Sequence, residues 1–126
     1  MKAKAMSLLQ GIDTIIIRVK DFNDSKDWYQ NSLGLTPVFE DASMKLVVFD
    51  TKGPTSLTIW QTEQIINNHK ETCSYPIFRT PDAAGLRDEM KERNIQTGEL
   101  VPGDHVHYFQ FYDPDGNVLE ACQVLE

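Results

Sequence analysis

Glu120 is the side chain of this sequence best suited to chemistry. It lies in the C-terminal run from Asn117 to Leu125, where its nearest neighbours are Val, Leu, Ala and Cys. A carboxylate in such an apolar strand must either point to water or lie in a cleft with a partner, because a buried unpaired charge is costly. In a cleft, Glu120 would be a candidate general base, or an anchor for a cationic or hydrogen-bonding ligand beside an arginine.

Two arginines are available as partners for Glu120. Alternate residues of a strand share a face, so Arg18 is expected on the face of Thr14, and Arg79 on the face of Tyr75. Both arginines could therefore rim the same concavity. A plainer alternative is an ion pair between Glu120 and one arginine that only offsets the cost of burial.

Aromatic and hydroxyl side chains could complete a small-molecule pocket around Glu120. Trp60 shares a face with Thr58, and Tyr75 adds a ring that carries a hydroxyl. An apolar cleft with a few polar groups is typical of ligand pockets, and aromatic walls can hold a cation. The alternative for Trp60 is a plain core position, as is common for large aromatic residues.

The two C-terminal histidines offer an alternative metal site. His105 and His107 lie two residues apart, so on a strand they face the same side and could share an ion with Glu120. Phe109 and Phe111 fall on that side as well. If the phenylalanines pack against the helices, the histidines point away from the cleft.

The two cysteines, Cys73 and Cys122, have no CxxC spacing and are too few for a disulfide scaffold, so reduced thiols are expected. Cys122 shares a face with Glu120 and would line the same ligand site, while Cys73 shares a face with Tyr75. If the two strands are neighbours, the thiols could lie close enough to react together under oxidation.

Composition limits the class of protein and of partner. The chain of 126 residues, 40% hydrophobic and 25% charged, is typical of one soluble globular domain without a membrane span. A net charge of -7 argues against nucleic-acid and anionic-membrane partners and would suit a cationic ligand. Met1–Met6 contains two lysines but no apolar stretch follows, so we expect a cytoplasmic protein without a secretory signal.

The elements that must position these side chains begin with a strand and a helix. A β-branched run over 11–19 predicts a strand, and an apolar stripe over 25–33 predicts a helix that ends at Gly34. Three short strands are predicted next, over 36–39, 45–50 and 56–60. A polar connector, 61–72, then separates the two halves.

The second half repeats this order. A strand over 73–79 contains Pro76, which favours an edge position or a strand start. Thr80 is predicted as the N-cap of a helix with Pro81 at its first position, and the helix ends at Arg93–Asn94. The remaining strands are predicted over 96–100, 105–112 and 117–125, and the turn Asp113–Asn117 joins the last two into a hairpin.

The two halves, about 9–60 and 73–125, form an internal repeat within a single domain, 1–126. Arg18 recurs as Arg79, and Asp50 as Asp113, at a spacing of about 62 residues. We predict an α+β fold, in which two β-α-β-β-β modules form a half-open curved mixed sheet around a cleft. The first and last strands of the modules would then bring four side chains together, namely Thr14, Thr58, Tyr75 and Glu120.

The sequence resembles the vicinal oxygen chelate superfamily, which includes glyoxalase I, fosfomycin-resistance enzymes, extradiol dioxygenases and bleomycin-resistance proteins. The resemblance extends over about residues 9 to 125. The residues that carry it are Val19-Lys20-Asp21-Phe22 with Ser25, then Trp28-Tyr29 and Leu33-Gly34-Leu35, and above all Phe111-Tyr112-Asp113-Pro114-Asp115-Gly116-Asn117-Val118-Leu119-Glu120. The resemblance implies the fold predicted above and a homodimer.

Enzymes of that superfamily hold a divalent cation with His, Glu or Gln side chains from the first and last strand of each module. By resemblance, the final carboxylate falls on Glu120, but the other three ligand positions fall on Thr14, Thr58 and Tyr75. A neutral threonine hydroxyl is a poor ligand for Zn²⁺, Ni²⁺ or Fe²⁺. We therefore expect no cofactor, and keep a divalent metal as the alternative.

The leading hypothesis is a small-molecule-binding protein, similar to bleomycin-resistance members that bind without a catalytic metal. The alternative is a glyoxalase-like metal-dependent lyase, isomerase or dioxygenase in which Glu120 is the base or one metal ligand. A third hypothesis, an interaction module without a small ligand, predicts a cleft filled by its own side chains.

Overall fold

The structure is a computed structural model that describes residues 7–126. The interpretation of Met1–Met6 as a start without a secretory signal lies outside these residues. None of the helices in the described range has the length and apolarity needed to cross a membrane.

The first half of the chain forms a four-stranded mixed sheet. Its strands are β1 (Thr14–Val19), β2 (Thr36–Asp41), β3 (Leu46–Asp50) and β4 (Ser56–Gln61), in the order β1-β4-β3-β2. β1 runs parallel to β4, and the other pairs are antiparallel. Between β1 and β2, helix α1 (Phe22–Asp27) begins after the N-cap Asp21, whose carboxylate accepts from the Asp24 amide. It continues into a π-helical turn, Trp28–Ser32.

The second half repeats this plan in a five-stranded mixed sheet. Its elements are β5 (Ile77–Arg79), α2 (Ala83–Glu92), β6 (Gln96–Thr97), β7 (Val101–Pro102), β8 (Val106–Tyr112) and β9 (Val118–Val124). The order is β5-β9-β8-β6, and β7 also pairs with β8. β5 runs parallel to β9, as β1 does to β4. The predicted pair of modules is therefore confirmed, except that the second module has two short strands, β6 and β7, where a single strand over 96–100 was predicted.

Three details differ from the sequence-based expectations. Within residues 7–126 no strand of one sheet pairs with a strand of the other, so the modules form two sheets rather than one continuous curved sheet. Helix α2 is capped by Asp82, whose carboxylate accepts from the Gly85 amide, and not by Thr80. Tyr75 precedes β5, which is shorter than predicted, and Pro76 immediately precedes the strand at this sheet edge.

Strand alternation separates a core side from an open side on each sheet. On the second sheet Phe109, Phe111, Leu119 and Ala121 are buried, because these alternate residues face α2 and the shared core. The first sheet contributes Ile17, Val19, Leu57 and Ile59 to the same core cluster. The residues between them, including Glu120 and Thr58, therefore face the opposite side of their sheets.

The two halves are also joined by a polar contact. The buried Tyr29 hydroxyl in the π-helical turn donates a 2.8 Å hydrogen bond to Asp113, in the turn between β8 and β9. The Asn117 side chain donates to Asp113 and to the Arg18 carbonyl, and the Lys20 amide donates to Asp115. The last turn is thereby fastened to the end of β1.

Candidate functional site

Glu120 lies in the middle of β9, between Ile77 of β5 and Gln110 of β8. It is 8% exposed, and Gln110 donates from Nε2 to its Oε1 at 3.5 Å, the outer limit for a hydrogen bond. No fully buried side-chain nitrogen or oxygen in residues 7–126 lacks a partner, so the second carboxylate oxygen reaches the surface. Glu120 therefore presents one oxygen at the base of an open sheet face.

No arginine in residues 7–126 is recorded in an ion pair with Glu120. The ion pairs recorded in the described part of the chain are Lys26–Glu40 and Arg93–Glu89. The alternative in which Glu120 forms an ion pair with Arg18 or Arg79 is therefore wrong. Burial of a carboxylate without a neighbouring cation is costly.

Tyr108, Gln110 and Tyr112 of β8 share the face of Glu120, because Gln110 lies directly opposite it across the hairpin. We call this surface, with Glu120 and Cys122, the β8–β9 face. Sequence reasoning missed the three β8 residues because it considered only the first and last strand of each module. The alternation with Phe109 and Phe111, whose packing against the helices was considered as one case, was the signal that could have found them.

A cavity of about 320 Å³ borders this face. We call it the tyrosine cavity, since Tyr108 and Tyr112 form its walls together with Gln110 and Glu99. The ammonium of Lys70, from the connector, lies 4.9 Å from the centre of the Tyr112 ring. Glu120 itself does not line the cavity, and Gln110 is the residue that contacts both.

The predicted residues of the first sheet form a separate group. The hydroxyls of Thr14 and Thr58 share a 2.8 Å hydrogen bond, and Thr58 is buried. Arg18 stacks over the half-buried Trp60 ring at 4.6 Å, and its guanidinium donates to the carbonyls of Trp60 and Gln61. The alternative of a core position for Trp60 is therefore not met, and the Arg18 guanidinium bonds to the neighbouring strand of its own sheet.

Of the three remaining predicted residues, the sheet pairing brings Arg79 and Cys122 together and leaves Tyr75 outside the strand. Arg79 lies opposite Cys122, next to Glu120 on the second sheet. Tyr75 is half-buried and precedes the strand. No hydrogen bond or ion pair recorded for residues 7–126 joins the Thr14–Thr58 pair to Glu120 or Tyr75.

The histidines do not join Glu120. His107 lies on the side of Phe109 and Phe111, which are buried in the core, and Glu120 lies on the other side of the hairpin. His105 is exposed and precedes β8. The described residues therefore do not bring Glu120, His105 and His107 together as the alternative metal set requires, because strand alternation places His107 and Glu120 on opposite sides.

Cys73 and Cys122 are free thiols in different surroundings. Cys122 lies on β9, while Cys73 lines a second cavity of about 440 Å³ between β1 and the connector. Ile16, Ile66 and Asn67 also line this connector cavity. The segment 61–72 thus covers part of the molecule and is more than a link between the halves.

The side chains at the expected ligand positions do not fit a transition metal. Thr14 and Thr58 bond to one another, and Glu120 has an amide for its nearest polar neighbour. Within the described range no group of three or more His, Cys, Asp or Glu side chains is placed to hold an ion. One carboxylate with neutral hydroxyls is a weak donor set for Zn²⁺ or Fe²⁺.

Comparison with known proteins identifies the family. The chain is 27% identical to the uncharacterized protein YraH of Bacillus subtilis (strain 168), over 95% of this chain and 100% of that protein. The fosfomycin resistance protein FosX of Listeria monocytogenes superposes with a TM-score of 0.76, at 16% identity, over 94% of this chain and 96% of that one. TnmS3, an antibiotic binding protein from Streptomyces sp. CB03234, superposes with a TM-score of 0.75, at 18% identity, over 95% and 100%. A family model matches residues 11–121, and the chain belongs to the Glyoxalase/Bleomycin resistance protein/Dioxygenase superfamily.

Proposed function

We propose that this protein binds a small organic molecule on the β8–β9 face, without the metal site expected of the family's enzymes. The observation that carries the proposal is Glu120, a buried carboxylate with one oxygen open to the surface and no cationic partner in the described residues. A ligand that supplies a hydrogen-bond donor or a positive charge would remove the cost of that burial.

The surroundings of Glu120 support a small ligand. Tyr108 and Tyr112 provide apolar walls with polar edges, and the cavity between them has the size at the lower end of known ligand sites. One neighbour by fold is an antibiotic binding protein and another a fosfomycin resistance protein, and the superfamily's name includes bleomycin resistance. Antibiotic-like molecules are therefore the first compounds to test.

The proposal includes a homodimer. Apolar side chains are exposed on both sheets, among them Ile16 on the face of Thr14 and Ile77 on the face of Glu120. Ile77 is 57% exposed, and Val124 lies on the same sheet face. A second copy would cover these residues and close the open face over its ligand.

The test is a ligand screen on the wild type and on Glu120→Gln. Backbone amide shifts would be followed by NMR with a library of organic fragments that includes bleomycin and fosfomycin. We expect binders to shift Gln110 and Glu120, and we expect Glu120→Gln to weaken their affinity at least tenfold, because it removes a charge-assisted hydrogen bond. The matched control, Glu92→Gln on the exposed side of α2, should bind as the wild type does. Binding on this face that is unchanged in Glu120→Gln would contradict the role of Glu120.

The alternative is a glyoxalase-like metal-dependent lyase, isomerase or dioxygenase in which Glu120 is the base or one metal ligand. The open carboxylate oxygen of Glu120 is the feature that favours it. Metal analysis separates the two, using protein purified without added metal or an affinity tag. Stoichiometric transition metal that is lost in Glu120→Gln would support the enzyme and overturn the proposal.

A further inference from the structure

The ammonium of Lys70 lies in the tyrosine cavity, against the Tyr112 ring, where the positive charge of a ligand could bind. The ammonium lies 4.9 Å from the centre of the Tyr112 ring, within the distance at which a cation is attracted to an aromatic face. The residue belongs to the connector between the two modules and not to either sheet. The contact therefore brings a cation from outside the sheet onto the β8–β9 face.

Lys70 is the only basic side chain among the described residues that line the tyrosine cavity. Lys70 forms none of the ion pairs recorded for residues 7–126, and its recorded attractive contact there is the Tyr112 ring. The other lining side chains that carry polar groups are Glu99, Gln110 and the two tyrosines, of which one is acidic and none is basic. Without Lys70, the cavity is lined by electron-rich rings and a carboxylate.

The Tyr112 ring is held in place by the edge of the second sheet. Tyr112 pairs with Gln96 of β6, and the Gly98 amide donates a 2.7 Å hydrogen bond to the Gln110 carbonyl. A Cβ at Gly98 would lie 3.4 Å from that carbonyl and 3.8 Å from the Tyr112 hydroxyl. Both distances are ordinary van der Waals contacts, so the pairing of β6 with β8, rather than the absence of a side chain at Gly98, positions the strand that carries the Tyr112 ring.

We propose that the tyrosine cavity binds an organic cation, an alkylammonium or guanidinium group, and that the Lys70 ammonium occupies its place in the ligand-free protein. The inference rests on the proposed function and names the ligand class for the β8–β9 face. The net charge of -7 favours approach of a cation. Glu99 at the rim and Glu120 beyond Gln110 disfavour an anion, although Lys70 alone would attract one.

The experiment removes the internal cation. Benzyltrimethylammonium would be titrated at constant ionic strength into the wild type and Lys70→Met, with the amide shifts of Gln110 and Tyr112 as the readout. We expect Lys70→Met to bind about two- to fivefold more tightly, since the probe no longer competes with an exposed cation–π contact. Lys91→Met, on the exposed surface of α2, makes the same change in net charge and should match the wild type.

A second variant shows whether the ring is the binding surface. The double variant Tyr112→Leu with Lys70→Met should lose the increase in affinity seen in Lys70→Met alone, and should bind the probe more weakly than the wild type. Equal affinity in Lys70→Met and Lys91→Met, or weaker binding in Lys70→Met, would overturn the assignment of Lys70. One outcome separates the two proposals: no variant binds the probe, but fosfomycin or another uncharged or anionic compound shifts the amide signals of Gln110 and Glu120. This result would contradict the cation site and support the proposed function. If no compound shifts the amide signals of the β8–β9 face, both the cation site and the proposed function are contradicted.

Discussion

Tyr29 and Asp113 form a buried hydrogen bond that links the helix of the first module to the last turn of the second. Asp113 accepts from the Tyr29 hydroxyl, from the Asn117 side chain, and from the amides of Asp115 and Asn117. Burial raises the pKa of Asp113 although the hydrogen bonds from Asn117 and Tyr29 oppose the rise, and burial together with the Asp113 charge raises the pKa of Tyr29 well above its ordinary value. The contact should therefore matter for stability.

Tyr29→Phe is expected to lower the free energy of unfolding by about 1 to 3 kcal/mol, because it removes a donor from a buried carboxyl group while leaving the ring in place. Urea denaturation at pH 7 measures the loss. Tyr75→Phe is the matched control, since the Tyr75 hydroxyl has no recorded hydrogen bond in the described residues and should cost little. Equal losses in the two variants would show that the Tyr29 hydroxyl contributes nothing.

The raised pKa of Tyr29 also predicts how stability depends on pH. An unfolded tyrosine ionises near 10.0, while the folded protein keeps Tyr29 protonated, so stability is lost as the pH rises above that value. The stability advantage of the wild type over Tyr29→Phe should shrink by up to about 1.4 kcal/mol per pH unit above pH 10. Urea titrations of both proteins at pH 9, 10 and 11 provide the measurement. A constant difference would mean that Tyr29 ionises as easily folded as unfolded.

For single residues, the sequence predicted which side chains are unusual in their surroundings better than it predicted which groups they contact. Glu120 could be singled out because a lone charge in an apolar strand is unusual, and the structure shows it buried. The partner of Arg18 could not be predicted, because strand alternation gives the face but not the reach of a long side chain. Its guanidinium is satisfied by the carbonyls of Trp60 and Gln61 and by the Trp60 ring.

Among the secondary-structure elements, α2 shows how a start signal can be misplaced by two residues. Thr80, Pro81 and Asp82 together indicated a helix start, but two of the three can serve as an N-cap. In the structure the Thr80 hydroxyl accepts from the Asp82 amide in a turn before the helix, and Asp82 caps it. The sequence therefore predicted the helix, and local hydrogen bonding decided its first residue.

Asp82→Ala should destabilise the protein by about 1 kcal/mol, because the Gly85 amide at the start of α2 loses its acceptor. Asp88→Ala, an exposed position within the same helix, removes the same charge without a cap and should change stability much less. Thermal or urea unfolding of both variants gives the comparison. A loss in Asp88→Ala as large as that in Asp82→Ala would rule out the capping role.

For the whole molecule, the repeat predicted two modules but could not say how their sheets meet. The offset between equivalent residues shows that the halves share one plan, and the structure confirms it. Whether two edge strands pair or stay apart depends on the packing between the modules, which involves contacts such as Tyr29 with Asp113. Side-chain alternation alone contains no information on that packing.

The proposed homodimer gives a prediction at this scale. Ile77→Glu should shift the protein from a dimer to a 14.4 kDa monomer at micromolar concentration, because a charge would be buried at the contact. Ile65→Glu is the control, since Ile65 is 93% exposed on the connector and lies on neither sheet. Analytical ultracentrifugation gives the masses. A wild type that is monomeric at all concentrations would contradict the dimer.

Strand alternation in β8 and β9 has a consequence for evolution. Glu120 stands between Leu119 and Ala121, which are fully buried, just as Gln110 stands between Phe109 and Phe111. Packing on one side of the hairpin thus constrains one set of positions and leaves the interleaved set comparatively free to vary. New specificities could arise by exchanging the outward residues while the scaffold survives, which would allow one architecture to acquire many substrates.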